Sequence, residues 1–307
     1  MSEFAIDVSH LSKKFGNKVA VDDLSLQLPK GQVWGFLGPN GSGKTTTIRM
    51  LCGLLQPTSG YGQCLGYDLV KDAEKIKQNI GYMTQQFSFW SDMTVRENLE
   101  FVARLYELRP VHEIVTHTLE SMGLHDRQKQ LAGTLSGGWK QRLALAAVSM
   151  HRPKLMLLDE PTAGVDPQAR RDFWERIHQL ADNGVTVLVS THYMDEAERC
   201  DRIVYMSRGK ILAQGTVGEI INQTGLKTVQ GLGPEVRHLI QSLKQIPGVA
   251  YVAYFDGAVH VSSCDEHVLS SIQQTFQSDV QWRWTQTPLE AAFIALSQQR
   301  EHRENER

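Results

Sequence analysis

A glycine-rich segment, GPNGSGKT at residues 38–45, has the residue types and spacing of a loop that binds phosphate groups. It follows the apolar run VWGFL and precedes the helix-like run TTIRMLCGL, which is the strand–loop–helix context that such a loop requires. Its glycines let backbone N–H groups turn toward phosphate oxygens, and the positive end of the following helix points at them. The residues predicted to line this site are Gly38, Pro39, Asn40, Gly41, Ser42, Gly43, Lys44, Thr45 and Thr46.

Two side chains of this loop have separate expected roles. Lys44 is expected to neutralise the β- and γ-phosphates of a nucleotide, and Thr45 to ligate Mg²⁺. The alternative is a glycine-rich turn with a chance lysine, which the strand before it and the helix after it disfavour.

A pair of carboxylates ends another apolar run, LMLLDEP at residues 155–161. Successive side chains of a strand point in opposite directions, so Asp159 and Glu160 cannot share one role. Asp159 is expected to hold Mg²⁺ through water, and Glu160 to polarise an attacking water as general base. A solvated acidic strand end is the alternative, which the phosphate loop elsewhere in the chain disfavours.

The segment LSGGWKQRLALAAVSM at residues 135–150 places Ser136, Gly137 and Gly138 at the start of a predicted helix. Taken alone, this is a helix cap with a flexible lead-in. Between a phosphate loop and a carboxylate strand it resembles the signature motif of the ATP-binding cassette (ABC) ATPases. The resemblance extends over about residues 4–220. It implies that these three residues contact nucleotide held by a second cassette.

The resemblance also implies roles for residues that would otherwise be taken as structural. Phe15 resembles the aromatic residue that stacks on adenine. Gln85 resembles the glutamine that reaches Mg²⁺ and the attacking water, with Gln86 as the weaker candidate. Asp166 in AGVDP resembles an aspartate that crosses the dimer interface, and His192 in THYMDEAE resembles the histidine that contacts the γ-phosphate.

In this family two cassettes sandwich two ATP molecules and drive a membrane permease. One cassette in the chain therefore implies a homodimer, or pairing with a second cassette, with ATP and Mg²⁺ as ligands. PTAGVDP and THYMDEAE, with the closing TPLEAAFIALS, resemble the ATPase subunits of exporters whose permeases are of the ABC type 2 class. The competing class is a soluble ABC ATPase acting on ribosomes or DNA, and a non-hydrolysing scaffold is a third possibility.

Two positions depart from the family's pattern. Trp139 stands where the signature usually has glutamine or methionine, and Thr84 stands where proline commonly precedes the glutamine. Neither departure removes a phosphate ligand, so hydrolysis is expected to survive. Trp139 is expected to pack against the neighbouring helical segment rather than to contact nucleotide.

The elements that position these residues have the pattern of a parallel sheet covered by helices. Short apolar runs at residues 32–37, 154–159, 185–190 and 202–206 predict core strands. The predicted fold class is α/β, a P-loop NTPase core of ABC type with a helical subdomain, followed by a small C-terminal α+β domain. The predicted bounds are residues 1–222 for the ATPase domain, about 86–150 for the helical subdomain and 223–307 for the accessory domain.

Within the accessory domain, two strand-like runs flank the turn pair Asp256-Gly257, which predicts a hairpin. Helical runs at residues 234–243 and 266–276, the strand-like QWRWT and a last helix beginning at Pro288 suggest a ferredoxin-like arrangement. The charged tail at residues 297–307 is expected to fray, since it has little to bury.

Composition sets limits on partners and location. The formal net charge of −2 gives no global electrostatic reason to bind nucleic acid. The sequence has neither a signal-peptide pattern nor a run of about 18 apolar residues that would span a membrane, so a cytoplasmic location is expected on the inner face of the cell membrane. The four cysteines have no metal-ligand spacing and are expected to be inert thiols.

The helical segment is expected to contact the permease. FSFWSDMTVRENL places Phe87, Phe89 and Trp90 directly after Gln85, in a loop that leads to a helix. Apolar aromatic side chains in such a loop favour burial against a partner. Packing within the helical segment itself is the alternative for each of them.

Overall fold

A computed structural model of the chain describes residues 3–234, 236–278 and 280–305, with side chains up to residue 299. The chain divides into two compact units, Met1–Ile211 and Leu212–Arg307. Each unit has its own core and is described separately.

The strands of unit 1 include the four apolar runs that the sequence predicts, with each bound within one residue of the predicted one. They are β1 (Phe4–Phe15), β2 (Lys18–Pro29), β3 (Val33–Leu37), β4 (Ser59–Cys64), β5 (Tyr67–Asp68), β6 (Ile80–Met83), β7 (Leu155–Asp159), β8 (Thr186–Thr191), β9 (Arg202–Ser207) and β10 (Lys210–Gly215), the last of which crosses the boundary between the units.

The described residues form a central six-stranded sheet in the order β10-β9-β3-β8-β7-β6. The pairs from β9 to β6 are parallel. Every residue of β3, β7 and β8 is buried, as expected for parallel strands covered on both faces. Parallel pairing brings the carboxyl ends of β3, β7 and β8 to one edge, where the segments at Gly38, Glu160 and His192 begin.

A separate four-stranded antiparallel sheet has the order β2-β1-β4-β5. Sequence reasoning missed it. Its long strands are interrupted by register shifts, for example between Val8 and Leu11, so the alternation of apolar and polar residues is broken.

The helices of unit 1 cover the central sheet or form a helical insert. They are α1 (Lys44–Leu51), α2 (Ala73–Asn79), α3 (Val95–Leu105), α4 (Val111–Ser121), α5 (Gly137–Ser149), α6 (Pro167–Asp182) and α7 (Met194–Ala197).

The predicted helical subdomain is present. Within the described residues, no strand is assigned between Met83 and Leu155. Helices α3, α4 and α5 share one apolar core, which includes Leu99, Leu119 and Leu143. A capping box at Thr94 and Glu97 begins α3, which fixes how the chain enters the helix after the loop that follows Gln85.

Unit 2 contains a second sheet with helices. Its elements are α8 (Val217–Thr224), β11 (Lys227–Leu232), α9 (Leu239–Lys244), β12 (Tyr251–Phe255), β13 (Ala258–Ser263), α10 (Glu266–Thr275), β14 (Gln281–Thr285) and α11 (Leu289–Asn305).

From β11 to β14 the element order is β-α-β-β-α-β, and the sheet order is β12-β13-β11-β14 with antiparallel pairs. This is a ferredoxin-like topology. The hairpin turns at Asp256 and Gly257, which have φ values of 51° and 77°, as a two-residue turn of matching twist requires.

Three features of unit 2 differ from the sequence-based expectation. The contact boundary at Ile211 lies before the predicted one near residue 222, because α8 packs against α11. Strand β11 was missed, since its apolar pattern is broken by Gln230 and Gly231. Helix α11 continues to Asn305 through most of the segment expected to fray, since glutamine, glutamate and arginine favour helix; residues 306–307 lie outside the described residues.

Two further observations concern the chain as a whole. Three of the cysteines, Cys52, Cys64 and Cys200, are buried, and burial raises the pKa of the Cys64 thiol to about 12, so this thiol stays protonated and unreactive near neutral pH. In the part of the chain that the structure describes, no helix combines the length and apolar character needed to cross a membrane.

Candidate active site

The loop before α1 passes too close to its neighbours to carry side chains at two glycines. A Cβ at Gly38 would lie 2.1 Å from the carbonyl oxygen of Met206, and one at Gly43 would lie 2.5 Å from that of Ala20. Gly43 also has a φ of 107°, which residues with a side chain rarely adopt. The glycine spacing therefore fixes the loop against β9 and β2.

Lys44 is buried inside this loop, with 5% of its surface exposed. Its Nζ donates to the carbonyl oxygens of Gly38 at 2.7 Å and Pro39 at 3.2 Å. The Glu160 carboxylate lies 3.6 Å from Nζ. Burial lowers the pKa of the Lys44 ammonium, and the charge of Glu160 opposes that shift.

The two carboxylates at the end of β7 have different partners. Asp159 accepts from the hydroxyls of Thr45 at 3.1 Å and Ser190 at 2.7 Å. Glu160 has a φ of 47°, in the left-handed region, and its N–H donates to Ser190 Oγ at 2.9 Å. Ser190, on β8, thus contacts both acidic residues, and sequence reasoning did not single it out.

Glu160 is the point where the other predicted catalytic residues meet. Gln85 Nε2 donates to Glu160 Oε2 at 3.0 Å, and His192 Nδ1 lies 3.5 Å from the same oxygen. The structure therefore brings Lys44, Gln85 and His192 to one carboxylate. Gln86, the weaker candidate, makes no such contact; its carbonyl accepts from the Thr84 hydroxyl at 2.8 Å.

A buried carboxylate fixes the segment that carries His192. Glu196 accepts from Thr191 Oγ1 at 2.6 Å and also from the Thr162 hydroxyl. Glu196 is fully buried. These bonds join the chain after β7 to the chain after β8, so Glu160 and His192 are held relative to each other. No sequence motif pointed to this role, apart from the position of Glu196 shortly after His192.

Lys44, Gln85 and Glu160 open onto a cavity of about 580 Å³, a volume typical of small-molecule sites. Phe15 stands in its wall with half of its surface exposed. The cavity is also lined by residues of β2 and the β9–β10 turn that sequence reasoning missed, since neither segment has a motif of its own. The lining residues are Phe15, Lys18, Val19, Ala20, Asn40, Gly41, Gly43, Lys44, Thr45, Thr46, Gln85, Glu160, Arg208 and Gly209.

The cavity fits a nucleotide with a divalent cation. Ser42 Oγ is buried and has no hydrogen-bond partner among the described residues. A bound phosphate oxygen would supply such a partner. The Lys44 ammonium supplies positive charge beside it. Thr45 and Asp159 offer the oxygen ligands that Mg²⁺ prefers, with Gln85 nearby.

Four predicted site residues lie outside this cavity and form a second cluster at the starts of α5 and α6: Ser136, Gly137, Gly138 and Asp166. A Cβ at Gly138 would lie 2.5 Å from Ala169 Cβ and 3.7 Å from Asp166 Oδ2, so the starts of α5 and α6 are packed closely together. Asp166 caps α6 by accepting from the N–H groups of Gln168 and Ala169. Ser136 and Gly137 are exposed at the start of α5. Within one chain, these residues do not line the cavity that contains Lys44.

Comparison with known proteins agrees with this arrangement. The family model described as ABC transporter matches residues 21–163. The probable multidrug ABC transporter ATP-binding protein YbhF of Escherichia coli K12 is 46% identical over 224 residues, covering 72% of this chain and 39% of YbhF. The linearmycin resistance ATP-binding protein LnrL of Bacillus subtilis is 37% identical over 252 residues, covering 80% of this chain and 81% of LnrL. The chain belongs to the ABC transporter family.

The solved structures agree on the fold. One described as an ATP-binding subunit of an ABC transporter matches with a TM-score of 0.66 at 28% identity, covering 72% of this chain and 93% of that one. The ABC-type P-loop NTPase core predicted from the sequence is thereby confirmed. YbhF is much longer than this chain, which spans only 39% of it.

Trp139, the departure in the ABC signature segment, packs against the core of the helical insert, as expected. Its ring lies between two guanidinium groups, with Arg127 Cζ at 4.4 Å and Arg142 Cζ at 4.6 Å from the ring centroid. Arg142 also pairs with Asp172 at 3.0 Å, which links α5 to α6. Trp139 thus connects α5, the helix of the signature segment, to Arg127, and through its contact with Arg142 it lies beside the ion pair that links α5 to α6.

The aromatic residues after Gln85 divide into two groups. Phe87 and Phe89 lie 5.5 Å apart and pack against the insert core. Trp90 is 44% exposed and packs on Phe101 of α3 with ring centroids 4.3 Å apart. Phe101 is also exposed, so this aromatic pair forms part of the apolar surface of the insert.

Proposed function

We propose that the protein binds and hydrolyses ATP with Mg²⁺ and that this hydrolysis energises export through a separate membrane permease. The observation that carries the proposal is the convergence of Lys44, Gln85 and His192 on Glu160, within 3.6 Å, at the end of a cavity of nucleotide size. Structural packing alone does not require four polar side chains of these types at one point.

Each side chain has a task that its position supports. Lys44 and the N–H groups of the loop bind phosphate oxygens, and Phe15 offers a face to the adenine ring. Thr45 and Asp159 hold Mg²⁺, which neutralises charge on the phosphates when it is bound. Glu160 takes a proton from the attacking water, while Gln85 and His192 orient that water and the γ-phosphate.

The test is Mg²⁺-dependent ATPase activity in wild type and Lys44→Ala. Removing a buried charge that contacts the phosphates is expected to lower activity by roughly 10²- to 10³-fold. Lys75→Ala is the matched control, because Lys75 is an exposed lysine that pairs with Asp72 on α2, away from the cavity, and activity should not change. Equal rates for wild type and Lys44→Ala would contradict the assignment.

We also propose that the active form is a dimer, of two copies of this chain or of this chain with a second cassette. The support is the second cluster: the exposed start of α5 offers free N–H groups for an anion, yet lies outside the cavity of its own chain. A nucleotide held by one copy would then contact Ser136, Gly137 and Gly138 of the other, with Asp166 at the interface.

The permease is proposed to contact the helical insert and to be of the ABC type 2 class. The exposed Trp90–Phe101 pair supports the first point, since apolar aromatic surface is stabilised by burial against a partner. The similarity to multidrug and linearmycin resistance ATP-binding proteins supports export as the direction of transport. The protein would then act on the cytoplasmic face of the cell membrane.

A further inference from the structure

Unit 1 contains a second large cavity, of about 710 Å³, which shares no lining residue with the nucleotide cavity. It lies at the opposite edge of the central sheet, where β7 and β8 begin, and includes Lys154, Met156 and Val185. Glu160 and His192 follow the other ends of the same strands. The cavity is therefore separated from the nucleotide by the length of β7, roughly 15 Å.

The charge of this cavity is of one sign. Its charged lining residues are Arg152, Lys154 and Arg176, with His117 as a further titratable group, and none of the described lining residues is an aspartate or glutamate. Neither Arg152 nor Lys154 has an acidic partner among the described side chains.

Helix dipoles account for only part of this charge. Helices α4, α5 and α6 all end here, at Ser121, Ser149 and Asp182. Each C-terminus carries roughly half a negative charge, so together they balance roughly one and a half of the three positive charges. A surplus of positive charge faces the cavity.

Local structure fixes the backbone of Arg152 and the side chain of Arg176. Arg152 has a φ of 54°, and its N–H donates to the Ser149 carbonyl at 2.9 Å, so a tight turn at the end of α5 presents it to the cavity. Arg176 is half-buried, and its Nη1 donates to Gln179 Oε1 at 3.0 Å. Such ordering reduces the entropy that a ligand would have to remove.

The rest of the lining combines apolar residues, among them Met122, Met156 and Leu180, with polar ones such as Gln179 and Asn183. A cavity of this volume with apolar and polar wall residues suits one small molecule. We propose that it binds an organic anion that has an apolar body and a single carboxylate, phosphate or sulfonate group. The anionic group would contact Arg152 and Arg176, and the apolar body would cover the methionines.

Such a ligand would connect two parts of unit 1. His117 and Met122 belong to the helical insert, whereas Arg176 and Met156 belong to the core sheet and its covering helix. Occupancy would favour one position of the insert relative to the core. Because β7 runs from this cavity to Asp159, the site is placed to modulate hydrolysis without touching ATP.

The test uses the full chain and the fluorescent anion 8-anilinonaphthalene-1-sulfonate as the probe. The probe is expected to bind saturably, and saturating Mg²⁺ and ATP should not displace it. Its affinity should fall about tenfold or more in the double variant Arg152→Gln/Arg176→Gln, because charge-assisted hydrogen bonds are lost. Arg171→Gln is the matched control, since Arg171 also lies on α6 and bonds to a nearby glutamine, Gln168, but does not line the cavity.

Three results would overturn the proposal. They are unchanged probe affinity in the double variant, displacement of the probe by ATP, and equal affinity for the uncharged analogue N-phenyl-1-naphthylamine. Should the double variant fail to fold, as judged by circular dichroism and ATP binding, the single variant Arg152→Gln replaces it, because Arg152 is exposed, and unchanged affinity there would overturn the proposal equally. Binding of the probe does not require hydrolysis, so this test and the ATPase test can fail independently.

Discussion

Glu160 follows directly after Asp159, and the backbone is what separates their tasks. Asp159 ends β7 with its carboxylate bonded to Thr45 and Ser190. Glu160 then adopts a left-handed conformation that directs its side chain to Lys44 and Gln85. A left-handed conformation in a residue with a side chain is uncommon, and it is maintained here by the bonds from the Glu160 N–H to Ser190.

Glu160→Gln is expected to bind ATP with nearly wild-type affinity and to lose hydrolysis by roughly 10²- to 10⁴-fold, because the amide keeps the shape but cannot accept a proton. ATP-dependent dimers should then accumulate, as measured by size-exclusion chromatography with light scattering in Mg²⁺ and ATP. A variant that binds nucleotide and yet elutes only as a monomer would count against the sandwich arrangement.

The residues of the nucleotide cavity could be predicted to different degrees. Lys44, Thr45, Asp159 and Glu160 stand in motifs whose spacing has a physical reason, and the structure brings them together. Ser190 could not be found in this way, because it is one polar residue at the end of an apolar strand. Its importance comes from parallel pairing of β8 with β7, which sets Ser190 beside Asp159.

Ser190→Ala is expected to lower kcat by about 10- to 100-fold, since it removes one charge-assisted hydrogen bond of about 1.5–3 kcal/mol that fixes Asp159, together with one of the two Ser190 oxygens that accept from the Glu160 N–H. The apparent affinity for Mg²⁺ should fall with kcat, while the affinity for ATP without metal should not. Thr118→Ala is the control, because this buried hydroxyl bonds only to the Ile114 carbonyl in α4. A fall in kcat of the same size in both variants would show a general loss of packing instead.

At the scale of elements, burial decides what the sequence can predict. Strands β3, β7 and β8 are buried on both faces and therefore read as continuous apolar runs. Strand β1 pairs with β2, which follows it after two residues, and with β4, which is distant in the chain; register shifts interrupt its alternation of apolar and polar residues, so neither pairing could be read locally. The same holds for β11, which is central in its sheet only because β13 and β14 return to it.

Helix α5 depends on Trp139 for its position. Trp139→Gln is expected to lower the free energy of unfolding of unit 1 by roughly 2–3 kcal/mol, through lost apolar burial and two cation–π contacts. Trp139→Phe should recover part of this loss, because a smaller ring can still lie between Arg127 and Arg142. The measurement is unfolding in urea, monitored by the loss of ATP binding.

Trp284→Gln is the control for that comparison, since Trp284 is half exposed on β14 of unit 2. Trp284→Gln should lower the free energy of unfolding much less than Trp139→Gln does in the same measurement. If Trp139→Gln and Trp139→Phe lower the free energy of unfolding equally, the aromatic ring does not stabilise the position of α5.

At the scale of the whole molecule, the predicted nucleotide ligands all lie between Phe15 and His192, within unit 1. Unit 2 has an apolar core of its own, which includes Val229, Val261 and Leu269. ATP binding should therefore be a property of unit 1 alone. Where the chain can be cut is decided by α8, which packs with α11 and buries Ile220 and Ile221.

A chain of residues 1–216 is accordingly expected to fold and to bind ATP with nearly the affinity of the full chain, as measured by calorimetry. It keeps all of β10 and contains none of α8. A chain of residues 1–222, cut at the boundary predicted from the sequence, retains most of α8 without α11 and so exposes apolar side chains. The longer truncation should therefore be the less soluble of the two. The described lining residues of the nucleotide cavity all precede Lys210. A well-folded 1–216 chain that cannot bind ATP would therefore contradict the assignment of the whole site to unit 1.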